Sequence, residues 1–164
     1  MQTQVCPYCL QAQMLPAFDY MMRDQGPNPF VTNIHHASRE NNTFRTALWT
    51  GRHVQLTVMS LQPGEDIGLE RHPHTDQFLR VEQGVGVVQM GESRNNLNFQ
   101  HYVGPGTAIL VPAGTWHNLI NTGSTPMKLY TIYGPPNHPH GTVHRTKADA
   151  EKEHVENYQE LLKT

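Results

Sequence analysis

Two glycine-punctuated motifs between residues 64 and 121 constrain this chain more than any other feature. The first reads Gly64, five residues, Glu70-Arg71-His72, four residues, Gln77, six residues, Gly84. The second reads Gly106, five residues, Pro112-Ala113-Gly114, two residues, His117, three residues, Asn121. In a strand, alternate side chains share a face, so Glu70 and His72 are expected to point the same way. Gln77 and His117 are then expected from neighbouring strands, made adjacent by turns at the glycines and Pro112. Carboxylate, amide oxygen and two imidazoles form a mixed N/O set suited to divalent Mn, Fe, Zn or Ni. With no thiolate and one formal charge, the set argues against a closed structural zinc site.

The stretches around the motifs read as short strands separated by turn residues. Candidates are Phe44–Trp49, Val54–Leu61, Gly68–His72, Gln77–Glu82, Val85–Met90, Leu97–Val103, Thr107–Val111, Trp116–Ile120 and Met127–Tyr133. Thr50-Gly51, Pro63-Gly64, Asn95-Asn96 and Thr122-Gly123 punctuate them, a rhythm that predicts a β-sandwich or barrel. Alternation from Gln77 places Leu79 and Val81 on its face and Phe78 and Arg80 on the other. Residues 1–29 read as an N-terminal extension, with a short helix from Pro16 to about Asp24 ended by Gly26-Pro27-Asn28-Pro29. Residues 30–140 make the barrel and 141–164 a C-terminal loop and helix. That helix is capped by Thr146, with Asp149 three residues later, and is expected to reach Leu162. Val155, Tyr158 and Leu162 form its apolar stripe.

On the two motifs the chain resembles the cupin superfamily, whose patterns are G-x5-H-x-H-x3,4-E-x6-G and G-x5-P-x-G-x2-H-x3-N. With the flanking strands, the resemblance extends over roughly residues 40–135. It implies an all-β fold, the double-stranded β-helix or jelly roll, holding one divalent metal ion through Glu70, His72, Gln77 and His117. The chain departs from the pattern twice. Glu70 stands where the first histidine is usual, and Gln77 where glutamate is usual, so one carboxylate is retained. A competing register takes His72-Pro73-His74 as the ligand pair, but it lengthens the gap from Gly64 and loses the distance to Gln77. His74 is then a group beside the metal or substrate, or a loop histidine.

Composition supports a single domain of 164 residues. A formal net charge of −2 leaves no electrostatic footprint for nucleic acid or an anionic membrane. No apolar run reaches the 18 or so residues of a membrane span, and the opening MQTQVCPYCL does not read as a signal peptide. A cytoplasmic protein is the expectation, with a small-molecule ligand as partner. A homodimer is also expected, since jelly-roll edge strands need covering. Cys6-Pro7-Tyr8-Cys9 fits an incidental pair, a disulfide or half a zinc site completed by His35 and His36 or by a second subunit. His138, His140 and His144 read as a solvated loop, with an H-x-H second metal site as the alternative.

Three functions fit the set. One is an isomerase or epimerase acting on a sugar phosphate or related polyol. Type I phosphomannose isomerases, distantly similar cupins, hold zinc with glutamine, histidine, glutamate and histidine. The second is a non-heme Fe(II) dioxygenase using Glu70, His72 and His117. The third is a non-catalytic cupin that binds or senses a small molecule. A proton-moving isomerase needs a base near the metal, for which the sequence offers His74 or His101. A phosphate needs cations beside the pocket, and the barrel strands offer Arg45, Arg71, Arg80 and Lys128. Tyr130 or Tyr133 could present a hydroxyl, although both read more simply as strand tyrosines.

Overall fold

The computed structural model describes residues 22–153. The Cys6–Cys9 pair, the stripe of Val155, Tyr158 and Leu162, and residues 16–21 of the helix expected from Pro16 to about Asp24 lie outside them; residues 22–24 are not helical. A helix, α1 (Ile34–Glu40), precedes nine strands. These are β1 (Arg45–Thr50), β2 (Gln55–Leu61), β3 (Asp76–Gln83), β4 (Gly86–Gly91), β5 (Phe99–Val103), β6 (Ala108–Val111), β7 (Trp116–Asn121), β8 (Met127–Gly134) and β9 (Val143–His144). They form a six-stranded sheet of order β6-β3-β8-β2-β1-β9 and a three-stranded sheet of order β5-β4-β7. Every strand pairing is antiparallel.

The period-2 pattern explains the packing. In β3, Gln77, Leu79 and Val81 are buried while Phe78 and Arg80 are half-buried, as the alternation predicts. Met59, Leu61, Leu79, Val81, Leu119 and Leu129 fill the space between the sheets. Each fully buried Leu of this kind stabilises the fold by roughly 1.5–3 kcal/mol. Toward the other end of the large sheet the inward positions turn polar. Gln55, Tyr133 and Gln77 lie side by side across β2, β8 and β3, with Thr57 and Thr131 beside them. The apolar end supplies the core and the polar end the site.

Two features differ from the sequence expectation. Helix α1 was not expected; it is capped by Asn33, whose side chain accepts from the His36 amide at 3.0 Å. It covers the outer face of the large sheet, packing Ala37 and Ile34 against Leu48, Val58, Leu56 and Tyr130. The strand expected at Gly68–His72 is reduced to isolated bridges, Asp66 to Ile120 and Glu70 to His117. Gly68 has φ +92° and donates to the Asp66 carboxylate at 2.9 Å, a local turn that interrupts the ladder. Pro73 then removes the next backbone donor.

The C-terminal cap forms as expected. The Thr146 amide donates to Asp149 Oδ2 at 2.8 Å and the Asp149 amide to Thr146 Oγ1 at 3.3 Å. Residues 147–153 are helical. Ala150 packs on the core, and a Lys147–Asp66 ion pair and a His144–Glu153 side-chain contact fasten this segment to the barrel. No described helix is long and apolar enough to cross a membrane.

Candidate metal centre

The backbone brings the two motifs together. Glu70 and His117 exchange both backbone hydrogen bonds, each 3.0 Å, so their side chains emerge on the same face. One residue of chain turns Glu70 into His72, whose carbonyl accepts from the Gly114 amide at 2.8 Å. Gly114 has φ +83°, a conformation that a side chain would strain, which explains the glycine in the second motif. The Pro112–Gly114 turn of one motif therefore positions His72 of the other.

Three ligand-type atoms converge. Glu70 Oε1 lies 3.2 Å from His72 Nε2 and 3.4 Å from His117 Nε2. All three residues offer atoms within 4.8 Å of one another. Gln77 does not come from a strand hydrogen-bonded to β7, as expected, but from β3 in the opposite sheet. It reaches across the interior to place Oε1 2.9 Å from His117 Nε2. Its Nε2 donates to Thr131 Oγ1 at 3.2 Å, which turns the amide oxygen toward the centre.

The donor set carries lone pairs without enough protons to share. His117 Nδ1 donates to the Thr115 carbonyl at 2.9 Å, which leaves Nε2 as the free acceptor in the neutral ring. That nitrogen faces two oxygen acceptors, Gln77 Oε1 and Glu70 Oε1. Glu70 Oε1 and His72 Nε2 are buried without a hydrogen-bond partner. A cation among these atoms relieves the lone-pair repulsion and satisfies the orphaned groups. Burial would raise the Glu70 pKa, but contacts with His117 and His72 and the charge of Arg45 outweigh it. The carboxyl is held well below its usual range and is ionised. The residues present fit a divalent metal ion.

The remaining expected groups fall elsewhere. His74 is exposed and lies outside the cluster. His101, on β5, is exposed and stacks on Phe99 with ring centroids 4.5 Å apart. Trp116 lies on the far side of its strand from His117, against the guanidinium groups of Arg71 and Arg94.

A cupin domain model matches residues 57–133. The uncharacterized protein YrkC of Bacillus subtilis (strain 168) is 68% identical over 130 residues, covering 79% of this chain and 70% of YrkC. The chain belongs to the cupin family. The uncharacterized protein L612 of Acanthamoeba polyphaga mimivirus is 40% identical over 115 residues, 70% of each protein. The crystal structure of BH2720 from Bacillus halodurans superposes with a TM-score of 0.79 at 63% identity, covering 79% of this chain and 98% of that one.

This cupin also gathers polar groups that sequence reasoning did not bring together. The Tyr133 ring sits edge-on to His72 at 5.9 Å and to His138 at 5.2 Å. His138 in turn meets His144 at 6.3 Å. The expected solvated loop is thus packed inward: His144 is buried and His138 half-buried. The cause is Gln55, fully buried, whose amide donates to the His138 carbonyl and accepts from the Asn137 and His138 amides. Burial and the charge of Arg45 push the His138 pKa down to about 2, so this ring is neutral. Burial likewise pushes the Tyr133 hydroxyl up, keeping it protonated.

Proposed function

We propose that this cupin is a single-metal enzyme for a small polar metabolite, with isomerase-like chemistry. The observation that supports it most is the convergence of Glu70 Oε1, His72 Nε2, His117 Nε2 and Gln77 Oε1, with buried lone pairs left unsatisfied. When bound there, a divalent ion supplies Lewis acidity toward a substrate carbonyl or hydroxyl. A set with one carboxylate and a neutral amide withdraws little of that electrophilicity.

The chain's own residues do the rest. Thr115 fixes the His117 tautomer, and Thr131 fixes the direction of the Gln77 amide. Tyr133 carries a protonated hydroxyl beside His72 and close to Arg45, suited to donating to a substrate oxygen. His138 Nε2 is buried, neutral and partnerless, suited to accepting a hydrogen bond from a substrate hydroxyl. Tyr133 takes the proton-handling role that the sequence reading gave to His74 and His101.

The two-histidine, one-carboxylate subset of Glu70, His72 and His117 also supports a second reading, an Fe(II) dioxygenase. Zinc-, manganese- and iron-loaded protein are compared on sugar phosphates, small hydroxy acids, aromatics and thiols. Isomerisation with zinc or manganese is expected. Oxygen consumption confined to the iron form overturns the isomerase reading, and silence in every combination favours a binding or sensing protein.

A further inference from the structure

We propose that Arg45 receives the carboxylate of a small hydroxy- or oxo-acid beside the Glu70, His72 and His117 centre. Arg45 lies on β1 opposite Met59 and His144, both inward-facing, and is itself only 4% exposed. A guanidinium keeps its charge at any physiological pH. Yet none of the ion pairs among the described residues involves Arg45. Its Nε has no hydrogen-bond partner, and its nearest described ring contact is Phe44, at 5.4 Å.

A buried charge without a counter-ion is strongly unfavourable. Glu70 lies within reach of its field, but no hydrogen bond or ion pair joins the two, and Glu70 Oε1 sits 3.2 Å from His72 Nε2 and 3.4 Å from His117 Nε2 in the metal cluster. The field of Arg45 also reaches Tyr133 and His138. Tyr133 OH, His138 Nε2 and His144 Nδ1 are buried without partners, as is Arg45 Nε. Four orphaned polar groups from β1, β8, β9 and the loop between β8 and β9 therefore neighbour one another, and the ring contacts lead from them to His72. An anion satisfies them together where water would leave the charge uncompensated.

The charge pattern selects the anion. One guanidinium fork beside the neutral Tyr133 hydroxyl and His138 imidazole matches the two oxygens and single charge of a carboxylate. A phosphate dianion brings more charge than one cation offsets. A carboxylate on Arg45 leaves the adjacent hydroxyl or oxo oxygen of the same molecule facing His72 and Glu70. That second half rests on the metal reading above; the docking on Arg45 does not.

The test is calorimetric titration of the full chain, metal-free and zinc-loaded, with lactate, its uncharged isostere lactamide, and inorganic phosphate. Lactate is expected to bind at least about tenfold more tightly than lactamide or phosphate. Arg45→Gln is expected to erase that preference while zinc still binds at wild-type stoichiometry. Arg45→Lys, which keeps charge without the fork, is expected to recover part of it. If Arg45→Gln does not fold, the wild-type ratio and its narrowing in Tyr133→Phe decide. Equal binding of lactate and lactamide, a preference that survives Arg45→Gln, tighter binding of phosphate, or no binding at all overturns the proposal. A lactate preference in protein that binds no zinc upholds it and removes the metal reading. Zinc binding without a lactate preference does the reverse.

Discussion

Removing the Asp24 carboxylate is expected to loosen three separated segments at once. Asp24 Oδ1 accepts from the amides of Gly26 at 3.0 Å and Thr50 at 2.8 Å. Its Oδ2 accepts from Thr50 Oγ1 at 2.5 Å and from the Gly141 amide at 3.0 Å. The carboxylate, 1% exposed, thus joins the segment before α1, the end of β1 and the loop after β8. An orphaned buried donor costs about 1–3 kcal/mol. Water reaches Gly141, which is exposed, so Asp24→Ala is expected to cost roughly 2–4 kcal/mol in total. For a chain of this size each kcal/mol lowers Tm by about 2–4 °C, giving a fall of about 5–15 °C in thermal unfolding followed by circular dichroism. Asp24→Asn keeps one acceptor oxygen and should lose about half as much.

The pH dependence of Asp24 adds a second check. Burial raises its pKa, but the Thr50 hydroxyl, the Gly141 and Gly26 amides and nearby His140 lower it further, so the folded value lies below the ordinary 3.8. A carboxyl depressed by folding contributes stability that is present above its unfolded pKa and lost as pH falls through the folded one. The wild-type advantage over Asp24→Asn is therefore full at pH 7 and shrinks below about pH 4. A Tm for Asp24→Ala within about 2 °C of wild type at pH 7 would refute the reasoning, as would an Asp24→Asn gap that stays constant in acid.

Three further outcomes follow from other parts of the fold. Gly84 has φ +87°, and an added Cβ would stand 2.8 Å from Met127 Cα, so Gly84→Ala should cost at least about 1–3 kcal/mol in urea unfolding; an unchanged midpoint contradicts this. His144→Ala removes the tie to Glu153 and should speed amide exchange across residues 147–153 at least about tenfold, whereas unaltered exchange would show that the core contact of Ala150 suffices. Light scattering at micromolar concentration should give a mass near twice 18.6 kDa, and a value near 18.6 kDa would show a monomer.

What the sequence revealed followed from local spacing. Turn glycines and a proline at fixed intervals put Glu70, His72 and His117 within reach of one another, and period-2 burial oriented β3 correctly. Contacts between distant segments were not legible. Gln77 meets His117 from the opposite sheet because the barrel closes on itself, which no spacing within either motif encodes. Arg45, Tyr133, His138 and His144 converge only once Gln55 pins the loop after β8. Helix α1, at seven residues, is too short to show a periodic stripe. The Gly68–His72 segment alternates like a strand, but the local Asp66–Gly68 turn competes with the ladder and wins.

Metal content of the purified chain and its variants tests the central claim most directly. Wild-type protein, equilibrated with zinc and measured by mass spectrometry of the metal, should hold about one ion per chain. His72→Ala and His117→Ala should abolish binding, Glu70→Ala and Gln77→Ala should weaken it, and His74→Ala should retain most of it. Loss of the ion in His74→Ala together with its retention in Glu70→Ala would contradict the account.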